Sequence, residues 1–324
     1  MRIPRRQAGF TLIEALVTLA IITAISMVVL GALAPWVSFK QSIDTDRKLQ
    51  DIKQGMLSYY DTTAMAIEAQ AGGVFGPFVR STPANGNCAE QSAAFSQVSG
   101  KFSESPQQLA KDGYGSPWCI FVSNALSETR DGVTLWYRNI AFVSAGRDSL
   151  LDAATSMDAQ GNLRTGGDDT GMVVSGYDIE HAKLAETFKR MSRVAAMYET
   201  YFTTRFLAYP DRDITRYYFS TGGTGYDSSA GAAVGSTGGA WRAVGGSGGW
   251  LSGIGVSATD GVTPWEQFSN IEVGNYTESV NGITARTPQS SGTGALPYTA
   301  LLRARLPAPA GQTVYATQVV VGNY

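Results

Sequence analysis

Arg5-Arg6-Gln7-Ala8-Gly9-Phe10-Thr11-Leu12-Ile13-Glu14, followed by an apolar run that lasts to Phe39, is the stretch that decides how this chain folds. A short basic leader stops at a glycine, and a carboxylate sits five residues beyond it at the head of the apolar run. From Ala15 to Phe39 there is no charged residue, a run of about 25 where about 20 suffice to span a bilayer. A glutamate at the head of such a segment costs about 2 kcal/mol or more in hydrocarbon, which calls for a function and a partner. A secretory signal peptide fits poorly, because its apolar core is shorter and its small-residue cleavage site follows that core. A plain membrane anchor accounts for the length, and Arg2, Arg5 and Arg6 hold the start on the cytoplasmic side. It leaves Gly9-Phe10 and Glu14 unexplained.

Over residues 5 to 30 the pattern resembles the class III signal and N-terminal helix of type IV pilins and type II secretion pseudopilins. The resemblance implies that a prepilin peptidase cuts after Gly9 and N-methylates the new first residue, Phe10. It also implies that Glu14 meets the Phe10 amine of a neighbouring subunit in a filament. The partners that follow are other pilin or pseudopilin subunits, the peptidase and the inner membrane. The body would then lie in the periplasm before assembly.

The chain of 324 residues has room for a long helix and one or two globular units. Its net charge of −2 offers no basic surface for nucleic acid, so none is expected as a partner. The 37 glycines and a charged fraction of 16% suit an extracytoplasmic, loop-rich β protein. With an anchor delivering the body to the oxidising side of the membrane, Cys88 and Cys119 are expected to pair. The bridge would close a loop of about 30 residues, worth about 3 kcal/mol in the chain-entropy model. Two buried free thiols are the alternative.

Beyond Phe39 the helical pattern turns amphipathic, with Leu49, Ile52, Met56, Tyr59, Thr63 and Ala66 at three-and-four spacing. Pro35 should kink this helix without ending it, since the apolar pattern continues on both sides. Turn residues from Gly72 to Asn87 close it. Strand-like runs follow at 119–122, 133–137 and 140–143. The turn Asp112-Gly113-Tyr114-Gly115-Ser116-Pro117-Trp118 and the loop Ser144-Ala145-Gly146-Arg147-Asp148-Ser149 resemble the sheet entry and closing loop of pseudopilin bodies. They depart from that pattern at Gly113, where it has proline, and at Ser149, where it has glycine. Asp178 is placed to cap a second helix, with Leu184, Phe188, Met191, Ala195, Tyr198 and Phe202 on one face and Pro210 beyond its end. A Gly/Ser-rich stretch from Gly222 to Gly255, an Asp260-to-Trp265 turn and strands near 298–305 and 313–321 complete the chain. The expected fold is α+β: a long N-terminal helix packed on an antiparallel sheet. A second α+β unit follows, either a tandem pilin-like repeat or an unrelated appendage. The boundaries are a leader at 1–9, a membrane or filament-core helix at 10–39, a first globular unit at 40–177 and a second at 178–324.

Asp148, Asp152, Asp158, Asp168 and Asp169 gather among glycines after the closing loop. The related loop of major pseudopilins binds calcium, so the resemblance implies a calcium site built from Asp148, Asp152, Asp168 and Asp169, with Asp158 left out. Solvated turns, in which aspartates accept hydrogen bonds from their own backbone, are the alternative. Catalytic chemistry has little to work with, because His181 is the single histidine and no phosphate-binding loop is present. The expected function is therefore structural, a minor pilin or pseudopilin at the tip of a filament or in its initiation. The alternative is a tip adhesin that binds a surface or glycan, with Trp241, Trp250 and Trp265 as its sugar-stacking candidates.

Overall fold

The computed structural model of the chain describes residues 12–130, 132–214, 217–219, 241–244, 255–265, 271–274, 279–286 and 297–324, with the backbone alone at 28–34, 242, 274 and 279. Helix α1 (Leu12–Glu68) runs unbroken through Pro35 for 57 residues, about 85 Å at 1.5 Å per residue. Its second half is the spine of the body. Leu49, Ile52, Met56, Tyr60, Ala64 and Ile67 are buried along one face. The expected stripe thus holds as far as Met56 and then moves by one position, leaving Tyr59 and Thr63 at the margin and Ala66 exposed. A strict alternation of three and four slips against the 3.6-residue turn, and three successive steps of four, from Ile52 to Ala64, restore the buried face.

Strands β1 (Cys119–Val122), β2 (Leu126–Arg130), β3 (Val133–Tyr137), β4 (Asn139–Ser144) and β5 (Thr170–Ser175) follow. The first sheet has the order β1-β4-β5, antiparallel throughout, with Cys119 opposite Val143 and Asn139 opposite Ser175. Strand β4 is buried along its whole length, which explains its near-continuous apolar sequence. Strands β2 and β3 form a separate hairpin. Helix α2 (Tyr177–Ala208) comes next. Asp178 lies inside its first turn and does not cap it; the N-cap is Gly176, which is packed against the Tyr60 ring and has no room for a side chain. The acid still favours that end through the helix dipole. On α2, Leu184, Met191, Ala195, Tyr198 and Phe202 are buried as expected, whereas Phe188 is half-buried and Thr187 takes the interior position.

The last sheet has the order β6-β7-β8-β9, from β6 (Arg242–Ala243), β7 (Ile271–Gly274), β8 (Thr299–Leu306) and β9 (Val314–Val321). Strands β8 and β9 pair over eight residues, Thr299 opposite Val321 through Leu306 opposite Val314. The order of helix and then antiparallel sheet thus occurs twice. The buried side chains of both parts form one continuous cluster from Leu49 to Val320. The chain end is fixed: the Tyr324 ring stands edge-on to Phe202 and Phe206, each 5.1 Å away, and Thr203 Oγ1 donates to the Asn323 carbonyl at 3.1 Å.

The turn at 112–118 clips this body to α1. Asp112, buried, accepts from the Tyr114 and Ser116 amides through Oδ1 and from Ser144 Oγ through Oδ2, so one carboxylate ties the turn to the closing loop. The Gly113 amide donates to Thr45 Oγ1 at 3.0 Å, and Lys48 Nζ donates to the carbonyls of Lys111 and Asp112. A Cβ at residue 113 would stand 2.1 Å from the Gln41 carbonyl oxygen, which is why this position departs from the proline of the related turn. Ser149 adopts φ +63°, a left-handed conformation that favours glycine. Cys88 and Cys119 are bonded, with Cα atoms 5.3 Å apart, and the bridge sits beside the Ser81 amide that donates to the Ile120 carbonyl.

Two outcomes follow from these contacts. Gly113→Ala should weaken the grip of the turn on α1 and cost about 1–3 kcal/mol, as overpacking does, seen as a lower unfolding midpoint and faster amide exchange over 41–48. An unchanged midpoint would mean that the clip does not hold the body. Reducing the Cys88–Cys119 bridge should cost about 3 kcal/mol, a drop of about 5 °C in Tm for a body of this size, and a drop of under about 2 °C would show that the loop is held by other contacts.

Candidate assembly surface and buried carboxylate pair

From Leu12 to Asp44 no residue with a described side chain is buried, and the first that is buried is Thr45. About 50 Å of helix therefore leaves the body before packing begins. Its described apolar side chains are bare on every side, including Leu12 at 79% exposure, Ile13 and Met27 at 72% and Phe39 at 65%. A helix that is apolar all round is built for burial, in lipid or among other helices. Even its hydroxyls are turned inward, with Thr18 Oγ1 donating to the Glu14 carbonyl and Thr23 Oγ1 to that of Leu19. Among the described residues no helix is long and apolar enough to cross a membrane; the side chains of 28–34, in the middle of the charge-free run, lie outside that description. Glu14 lies on α1 near its start, while Gly9 and Phe10 lie outside the described residues. Where the helix meets the body it acquires a charged collar: Arg47 pairs with Asp44 at 2.7 Å and with Glu104, and Lys48 pairs with Asp44 at 3.2 Å.

Of the aspartates after the closing loop, Asp148, Asp152 and Asp158 bond within their own turns, while Asp168 and Asp169 bond across the loop. Asp148 accepts from the Leu150 amide, Asp152 from Ala154, Asp158 from Gln160 and Asn162, and Asp168 from Arg147. Asp169 accepts from the Asp152 amide and from Thr155 Oγ1. Among the described residues no group of three or more His, Cys, Asp or Glu side chains is placed to hold a metal ion. His181 lies against the Tyr177 ring with Nε2 3.3 Å from Glu128, joining α2 to the β2–β3 hairpin.

A constellation that sequence reasoning missed lies where α1, α2 and the C-terminal segment meet. Glu68 ends α1 and Glu180 stands in the first turn of α2, both fully buried. Tyr60 Oη donates to Glu68 Oε1 at 2.9 Å, and the Trp265 indole N–H donates to Glu180 Oε2 at 2.7 Å. Arg138 closes the end of α1 by donating to the carbonyls of Glu68, Gln70, Ala71 and Val74, and its Nε stands 3.5 Å from Glu68 Oε2. Burial pushes Glu68 up to about 7, against the opposing pull of Tyr60 and Arg138. Burial pushes Glu180 further, to about 8, with Trp265 and Lys183 opposing and Glu68 adding to the rise. The one signal available in the sequence was spacing: Glu68 adjoins the last buried stripe residue, Ile67, and Glu180 lies four residues before Leu184.

Residues 4–34 match the family model of the prokaryotic N-terminal methylation motif. No curated protein and no solved structure matches the chain. The matched segment contains Gly9, Phe10 and Glu14 and runs into the exposed apolar part of α1. The chain thus carries, at the head of a helix apolar on every side, the prepilin signal of type IV pilins and pseudopilins.

Proposed function

We propose that the chain is a minor pilin or pseudopilin, held in the inner membrane by the first half of α1 until that helix enters the core of a filament. The observation that carries this reading is the bare apolar helix of about 50 Å behind a methylation motif. Each large apolar side chain on it gains about 1.5–3 kcal/mol when buried, so neither lipid nor a sheath of like helices leaves it in water. Prepilin peptidase would release residues 1–9 and methylate Phe10. Residues 40–177 and 178–324 then act as two α+β units of one periplasmic body. Such a body is bulky for a shaft subunit that must repeat at every step, which favours a place at the tip or in initiation. The role is structural and not enzymatic. The adhesin reading gains no support from the tryptophans: Trp265 is in the core, Trp241 is stacked on the Arg303 guanidinium at 4.0 Å, and Trp250 lies outside the described residues.

Glu14→Ala separates anchoring from assembly. Removing a charge from the apolar segment should leave membrane insertion intact. The amine–carboxylate pair between subunits is lost, and an unpaired buried partner costs about 3–5 kcal/mol, so sheared filaments should be depleted of this protein while the membrane pool is kept. Filaments carrying the usual amount would contradict the role assigned to Glu14.

A further inference from the structure

We propose that Glu68, Tyr60 and Glu180 form a proton-holding joint that keeps the C-terminal segment, through Trp265, seated on α1 and releases it when both carboxylates ionise. The geometry comes from three separate parts of the chain. Tyr60 and Glu68 belong to α1, Glu180 to α2 and Trp265 to the turn after Asp260, and all four side chains are buried. Tyr60 donates to Glu68, Trp265 donates to Glu180, and Gly176 lets the start of α2 lie against the Tyr60 ring. Among the described residues, Glu180 Oε1 and Glu68 Oε2 have no hydrogen-bond partner. A buried carboxyl oxygen without a donor is far better tolerated as part of a neutral acid than as an anion.

The charges around the pair cover one anion and not two. Arg138, from the β3–β4 connection, is the cation beside Glu68, and most of its donors are already spent on four backbone carbonyls. Lys183, from α2, is drawn to Asp61 of α1, bonding its carbonyl and its carboxylate. From the C-terminal turn only the neutral indole of Trp265 reaches Glu180. Two carboxylates in one buried site disfavour double ionisation, so the pair keeps a proton to higher pH than either would alone.

The direction of the pH effect follows from the raised values. An unfolded glutamate loses its proton near 4.5, while the folded pair holds on to about 7 and 8. The folded state is thus favoured in full below about pH 4.5, and that advantage declines as pH rises through 7 and 8, flattening above them.

The test is thermal unfolding of the full chain in detergent micelles at closely spaced pH values from 5.5 to 9.5, with amide exchange, corrected for intrinsic rates, over 257–265 and 139–144. The wild type should lose several degrees of Tm as pH rises from 5.5, with the fall levelling off above about 8. Protection around Trp265 should fall before protection in β4. Glu180→Gln keeps an acceptor for the indole and cannot ionise, so its Tm should stay level across the upper part of that range. Trp265→Phe keeps the ring but removes the donor that favours the ionised acid, so the pH at which its Tm levels off should move higher; this supplies a second reading if the glutamine variant folds poorly. A wild-type Tm that is flat from pH 5.5 to 9.5, an equal fall in Glu180→Gln, or a Tm in Trp265→Phe that levels off at the wild-type pH would overturn the proposal.

Discussion

A helix whose first half is apolar on every side, and whose second half is apolar on one, imposes the rest of this structure. The first half cannot be left in water, since each exposed leucine, isoleucine or phenylalanine forgoes about 1.5–3 kcal/mol of burial. The second half must be covered by the chain's own body. Thr45 marks the change, because below it the described side chains stand clear of the body and from it onward the Leu49–Ile67 face is covered. One continuous helix thereby joins the leading segment to the body.

Three polar devices fix how the body sits on that spine. At its lower end, two helix side chains, Thr45 accepting from the Gly113 amide and Lys48 donating to the Asp112 carbonyl, clip the 112–118 turn to α1. At its upper end, Arg138 gathers the last carbonyls, which would otherwise lack donors in a buried site. Where α1 and α2 meet, Tyr60 bonds Glu68 within α1, and the Glu180–Trp265 bond ties α2 to a turn 85 residues further along the chain. The apolar cluster is continuous across both sheets. Polar contacts set its geometry, while apolar burial supplies most of the driving force.

Much of this was legible in the sequence where one force dominates. The charge-free run from Ala15 to Phe39, the strands at 119–122 and 299–306 and the helix ending before Pro210 follow from apolar periodicity and from breakers. The strand at Leu126–Arg130 was not legible, because its polar residues face solvent in a hairpin that tertiary pairing holds. Asp178 has the residue type of a cap, yet close packing against Tyr60 gave that position to Gly176. The buried glutamates were invisible for a different reason. Each looks like a surface residue of an amphipathic helix until α1, α2 and Trp265 converge, and no local pattern reports that convergence. The aspartates from 148 to 169 showed the opposite ambiguity, since turn formation and metal binding call for the same residues and only coordinates show where each oxygen points.

The central claim is that the leading helix is an assembly element prepared by removal of residues 1–9. Intact-mass and N-terminal peptide analysis of the chain, isolated from cells that contain a prepilin peptidase, tests it most directly. The account predicts a mature chain that begins at Phe10 with a methyl group on its amine. A chain that keeps Met1 through Gly9 under those conditions would contradict it.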